Sequence, residues 1–260
     1  MAVTDVAPTP VTVLVGGVSE LFQRDLDLGR LAVERLRGED LGPGAVVEEL
    51  HYGAVAVVQR LEDLHPGLLV LVSAVARGRS PGTVQRRRLD PPASSVAEVQ
   101  AAVGDAVTGY VHPDLIVEVA AALGALPART VGVEVEPAVV GPGEGLSPSA
   151  AAGLEAALAL VRSEVRRAPL LALAAELEPL VTTDRLAESS ALSALRDLLG
   201  ELTLLDREGR WGRTFDLRGR LRRAIAADPT SEGMDHRDWA LWWALLEELD
   251  RLEPVEAVSR

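Results

Sequence analysis

The sequence predicts a three-layer α/β/α domain with a mostly parallel sheet over residues 10–167, followed by an all-α region over residues 168–260. Three observations carry this. Short runs rich in valine and leucine (Val11–Val15, Leu68–Val75, Thr130–Val135) have strand length, and the continuous apolar run Leu68–Val75 implies burial on both faces of a parallel sheet. Stretches of helical spacing lie between them, so strand and helix patterns alternate as in α/β folds. After Arg167 the strand pattern stops and only helical stretches separated by breakers remain.

Taken in order, Met1–Thr9 holds two prolines and no periodicity, as a disordered leader does. The first strand is bounded by Pro10 and Gly16-Gly17, and Leu28, Leu31, Ala32 and Leu36 then share one helical face. Val46–Leu50 reads as a strand and Ala54–Leu61 as a short helix, broken at His65-Pro66-Gly67. Thr83–Leu89 alternates like a partly exposed edge strand. A helix is expected at Val96–Val103, and a stronger one at His112–Leu123. Ser147 as N-cap and Pro148 at the first helical position start a long helix reaching about Val165. Four further helices are expected at Pro169–Leu180, Asp184–Leu205, Asp216–Ala226 and His236–Leu252.

Composition narrows the chemistry. At 260 residues and 48% hydrophobic, the chain can bury a sizeable core. Its net charge of −13 disfavours phosphate backbones, so no nucleic-acid partner is expected. Lysine is absent, which removes Schiff-base chemistry and a P-loop lysine; cysteine is absent, which removes disulfides, thiolate nucleophiles and cysteine metal sites. No run approaches the about 18 apolar residues of a membrane span, and no secretory pattern opens the sequence, so the expected compartment is the cytoplasm.

Glu20, Asp25 and Asp27 crowd the carboxyl end of the first strand, where open α/β sheets place their ligand crevice. With His112 as a spatial neighbour, Asp25 and Asp27 have the donors of a Zn²⁺ or Ni²⁺ site. Equally, Asp25 and Asp27 suit the N-terminus of the following helix as caps. His112, before Pro113, suits a ligand, a general base or the first residue of a helix; His51 carries the same ambiguity. Ser73 follows an apolar strand but lacks a Gly-x-Ser-x-Gly elbow, and Gly16-Gly17 lacks the full dinucleotide fingerprint. In the C-terminal region Trp239, Trp242, Trp243 and Leu246 share a helical face that suits either a core or a docking surface. Arg207–Arg223 holds seven arginines, either a grip for an acidic partner or a solvated face with internal ion pairs.

From Val11 to about Arg167 the chain resembles the hydrogenase maturation endopeptidases, which trim the C-terminus of the large subunit of nickel–iron hydrogenases. That family opens with a strand, Gly-Asn, four residues, an acidic pair, two residues and Gly. Counting back from Gly29, Asp25 stands at the first acid, Leu26 at the second, metal-binding acid, and Glu20 at the Asn, with a two-residue lengthening after the glycines. Leu69–Val75 and Arg77-Gly78-Arg79-Ser80-Pro81-Gly82 match the family's third strand and its basic-Gly-x-x-Pro-Gly turn, with Ser73 at the metal-binding Asp. Thr108–Ile116 resembles the family's Ser-x-His-x-x-x-Leu helix start and places His112 at the ligand histidine. Val133–Pro137 and Gly145–Pro148 are similar to its closing strand and helix.

The resemblance implies the phosphorylase/hydrolase-like α/β fold, with one of three metal ligands kept. It implies a hydrogenase large subunit or assembly factor as partner and, with the site altered, a non-catalytic binding factor that needs no cofactor. The alternative is an active endopeptidase holding Ni or Zn through His112 with Asp25 or Asp27.

Overall fold

The computed structural model describes residues 12–91, 100, 101, 104, 111–181, 190–211, 214–227 and 236–256. The leader, most of the helix expected at Val96–Val103, Thr108–Tyr110 and the start of the helix expected at Asp184 lie outside the described residues. The chain divides into two compact units, Val11–Arg166 and Arg167–Arg260.

In the first unit the order is β1 (Val13–Gly17), α1 (Leu28–Leu36), β2 (Ala45–Glu49), α2 (Ala54–Leu64), β3 (Leu68–Ala74), β4 (Val84–Arg88), α3 (Pro113–Ala122), β5 (Thr130–Val135) and the start of α4 (Pro148–Val181). The five strands form one sheet in the order β2-β1-β3-β5-β4. All neighbours are parallel except β4, an edge strand antiparallel to β5. Every residue of β1, β3 and β5 is buried, as in parallel strands covered on both faces.

The register sets the layers. Leu14, Leu69 and Leu71 point to one face and pack with Val57, Leu61, Ile116 and Val119 of α2 and α3. Alternate residues point the other way, toward α1 and the first turns of α4. On that face glycine permits close approach: a Cβ on Gly17 would lie 2.2 Å from the Gly29 carbonyl oxygen, and one on Gly29 would lie 2.4 Å from that of Val18. Gly16-Gly17 is therefore strand and packing surface, not a phosphate loop. Edge strand β4 is tied inward by Arg86, which donates to the fully buried Glu164 of α4 at 2.9 Å, while Arg129 donates to the same carboxylate at 2.7 Å.

Helix α4 departs from expectation. Ser147 caps it as the sequence indicates, its Oγ accepting from the Ala150 amide, but the helix continues through Pro169 to Val181 instead of breaking there. An interior proline costs roughly 3 kcal/mol. Leu170, Leu173 and Leu177, at most 2% exposed, offset this because each buried leucine contributes roughly 1.5–3 kcal/mol.

The second unit comprises the rest of α4 with α5 (Ser190–Glu208), α6 (Thr214–Ala227) and α7 (His236–Glu256). Its core gathers leucines of α4, α5, α6 and α7 around Trp242, which is fully buried. Trp239 stacks on Trp242 with centroids 5.4 Å apart and planes 11° apart. The tryptophan face therefore divides: Trp242 and Leu246 are core, whereas Trp243 is 50% exposed. In the arginine-rich stretch, Arg220 pairs with Glu201, Arg222 with Asp250 and Arg210 with Glu208, so three of these cations have internal partners.

Candidate functional site

The carboxyl ends of β1 and β3 and the start of α3 enclose a cavity of about 290 Å³, lined by Glu20, Leu26, Ser73, Arg77, His112 and Val140 among others. This is the crevice position of open α/β sheets. Leu26, Ser73 and His112, far apart in sequence, share its wall.

His112 is the N-cap of α3, and its Nδ1 accepts from the Asp114 amide at 3.3 Å. The same nitrogen lies 3.5 Å from the Asp114 carboxylate. Burial lowers its pKa, the nearby Arg77 cation adds to this, and Asp114 opposes it. The ring lines the cavity with its neutral form favoured. Ser73 sits at the end of β3, 2% exposed, with no hydrogen-bond partner for its Oγ among the described residues.

The two aspartates have other roles. Asp25 is fully buried. Its Oδ2 accepts from the Ala138 and Val139 amides, both at 2.8 Å, and from Ser147 Oγ at 2.8 Å, while Oδ1 accepts from the Ser147 amide at 2.6 Å. Burial alone would raise its pKa; these hydrogen bonds outweigh burial and lower it. Asp27 is the N-cap residue of α1 but makes no side-chain cap bond. Its carboxylate instead grips Arg30, with Nη2 at 2.6 Å and Nε at 2.9 Å. Neither aspartate caps the helix through its side chain, because stronger partners lie nearer.

A divalent ion needs several converging anionic or neutral-lone-pair donors. Among the described residues no three His, Asp or Glu side chains converge as such a set. Leu26 and Ser73 bring no charge to the cavity, and Asp25 and Asp27 are bound elsewhere. The residues as arranged do not fit Ni²⁺ or Zn²⁺, and the structure does not bring His112, Asp25 and Asp27 together as ligands.

Sequence reasoning missed the support of the turn after β3. Glu134, 1% exposed, accepts from Arg77 Nη2, Arg79 Nη2 and Arg87 Nη1, each at 2.9 Å. Glu136 accepts from the Arg77 and Gly78 amides at 2.9 and 3.0 Å, and these bonds outweigh burial in lowering its pKa. Arg77 also pairs with Asp114 at 2.8 Å, linking the turn to α3 beside His112; bonds to Asp114 and Glu134 raise its pKa. The signal was present: Val133-Glu134-Val135-Glu136 puts one acid on a buried strand and one just past its end, and buried carboxylates require cations or amides.

No protein-family model and no curated protein matches the chain. Solved structures are similar over 60% of it: the hydrogenase maturating endopeptidase HybD from E. coli (22% identity, 93% of that chain, TM-score 0.45), an endopeptidase from Escherichia coli (21%, 93%, 0.47) and the [NiFe] hydrogenase maturation protease HycI from Thermococcus kodakarensis KOD1 (15%, 93%, 0.43). The helical C-terminal region fits the part left uncovered. Among the described residues no helix is long and apolar enough to cross a membrane.

Proposed function

We propose that this chain is a hydrogenase maturation protease-like protein acting as a non-catalytic binding factor in nickel–iron hydrogenase maturation or assembly. One observation carries the reading. The three positions that match the family's metal ligands lie around one cavity, yet two of them are Leu26 and Ser73. Such a wall keeps the receptacle for a protein segment and drops the charge that would hold a Lewis acid. His112, its neutral form favoured by burial, can hydrogen-bond the backbone of a docked segment. The proposed partner is a hydrogenase large subunit or an assembly factor, met in the cytoplasm.

The test uses the full chain and a hydrogenase large-subunit precursor. Co-purification of the two without shortening of the precursor supports the proposal; cleavage of its C-terminus, abolished by His112→Ala, overturns it in favour of an active endopeptidase with a modified site.

A further inference from the structure

Strand β3 outruns its neighbour β1. Their register ends with Gly17 opposite Val72, and Val18 N then donates to Val72 O at 2.9 Å. On its other side the chain stays paired further, with Val75 N donating to Val135 O at 3.0 Å and Arg77 N to the Glu136 carboxylate at 2.9 Å. In a parallel ladder both main-chain groups of one residue point to the same neighbour, and those of the next residue point to the other. Val72 faces β1 and Val75 faces β5, so the N–H and C=O of Ala74 face the side that β1 has left. Among the described residues no hydrogen bond joins Ala74 to the chain after Gly17, although Ala74 is only 8% exposed. Buried main-chain groups are almost always paired.

This free edge borders the cavity of about 290 Å³, which Ala74 and Ala76 line together with Val18, Ser19 and Glu20 of the chain after β1. Ser73 lines it too, and its hydroxyl is the second kind of orphan there: the side chain is 2% exposed and Oγ has no partner among the described residues. A donor and an acceptor on one strand edge are matched by another main chain, as when an extended peptide adds a strand to a sheet. The charges agree with a neutral occupant. Arg77 is already paired with Asp114 and Glu134, and Glu20, the one acid among the lining residues, disfavours an anion. Val18, Leu26, Val111 and Val140 supply apolar surface for the occupant's side chains.

We infer that the cavity takes an uncharged, extended segment of a partner protein, which adds to β3 beside Ala74 where β1 has ended and hydrogen-bonds the Ser73 hydroxyl. This rests on the proposed reading of the cavity as a receptacle for a protein segment, and adds how the segment is held. The probe is the blocked hexapeptide acetyl-Thr-Val-Thr-Val-Thr-Val-amide. Its control, methylated on every main-chain nitrogen, keeps the side chains and cannot donate to a strand. Amide exchange of the full chain, followed by NMR, is the readout. The Ala74 amide should exchange quickly in the free chain; saturating hexapeptide should slow it at least tenfold, and the methylated control less than twofold. Ser73→Ala removes an unpaired hydroxyl, so it should leave the melting temperature unchanged or raised while weakening hexapeptide binding at least threefold. No slowing, equal slowing by both peptides, or binding indifferent to Ser73→Ala overturns the inference. Slow exchange at Ala74 in the free chain also overturns it, since the edge would then be covered by the chain itself or by a second copy. If a hydrogenase precursor co-purifies but leaves Ala74 exchange unchanged, this inference fails and the hydrogenase reading stands. If the hexapeptide protects Ala74 and the precursor does not co-purify, the hydrogenase reading fails and this inference stands.

Discussion

Ser147 donates twice to Asp25, from its amide at 2.6 Å and from its hydroxyl at 2.8 Å, across 122 residues of sequence. The same carboxylate holds the Ala138 and Val139 amides. Asp25 thus joins the loop after β1 to the loop between β5 and α4, and so shapes the rim of the cavity. Asp25→Ala leaves three amides and a hydroxyl without this acceptor, so it should destabilise the chain by about 2–4 kcal/mol. Asp25→Asn, which keeps one carbonyl oxygen, should cost less. Urea denaturation of both variants measures this; a change within about 0.5 kcal/mol for Asp25→Ala would remove the clamp from the account.

Acid should weaken the fold through two groups. Asp25 has a folded pKa below its ordinary value of 3.8, so its contribution is present above that value and is lost as pH falls through the folded one. His112 has a folded pKa below its ordinary 6.5 because burial disfavours the charged ring. The unfolded ring takes up its proton first as pH falls, so stability drops with pH below about 6.5. His112→Gln should flatten the slope of the urea midpoint between pH 7.5 and 5.5 while leaving the loss below pH 4 in place. An unchanged slope between pH 7.5 and 5.5 would contradict the buried, neutral state of the ring.

The fold was largely legible because its signals are local. Val11–Val15 and Leu68–Val75 are apolar or β-branched over strand length, and Thr83–Leu89 alternates as an edge strand does. The helix through Pro169 was not legible, since the leucines that hold it together find their partners on other helices. The site divides in the same way. Leu26, Ser73 and His112 were placed by spacing against a family pattern, and they do share one cavity. The roles of Asp25 and Asp27 were not legible, because Ser147 lies 122 residues from Asp25 and no local rule prefers Arg30 to a capped amide for Asp27.

Glu134 balances three arginines in one place, and its register partner on β3 is Ser73. Glu134→Gln should leave Arg77, Arg79 and Arg87 facing one another without their shared anion and cost about 2–4 kcal/mol. It should also free the 77–79 turn, read as faster amide exchange at Arg77 and Gly78. Wild-type stability and exchange in the variant would show that Glu136 alone holds the turn.

Metal titration tests most directly the proposed reading, in which the cavity receives a protein segment and holds no metal ion. Calorimetry of the full chain with Ni²⁺ and then Zn²⁺ should show no one-to-one, His112-dependent site. The Leu26→Asp/Ser73→Asp double variant should gain one that His112→Ala removes. A wild-type chain that binds one equivalent of either ion tightly, and loses it with His112→Ala, would contradict the account.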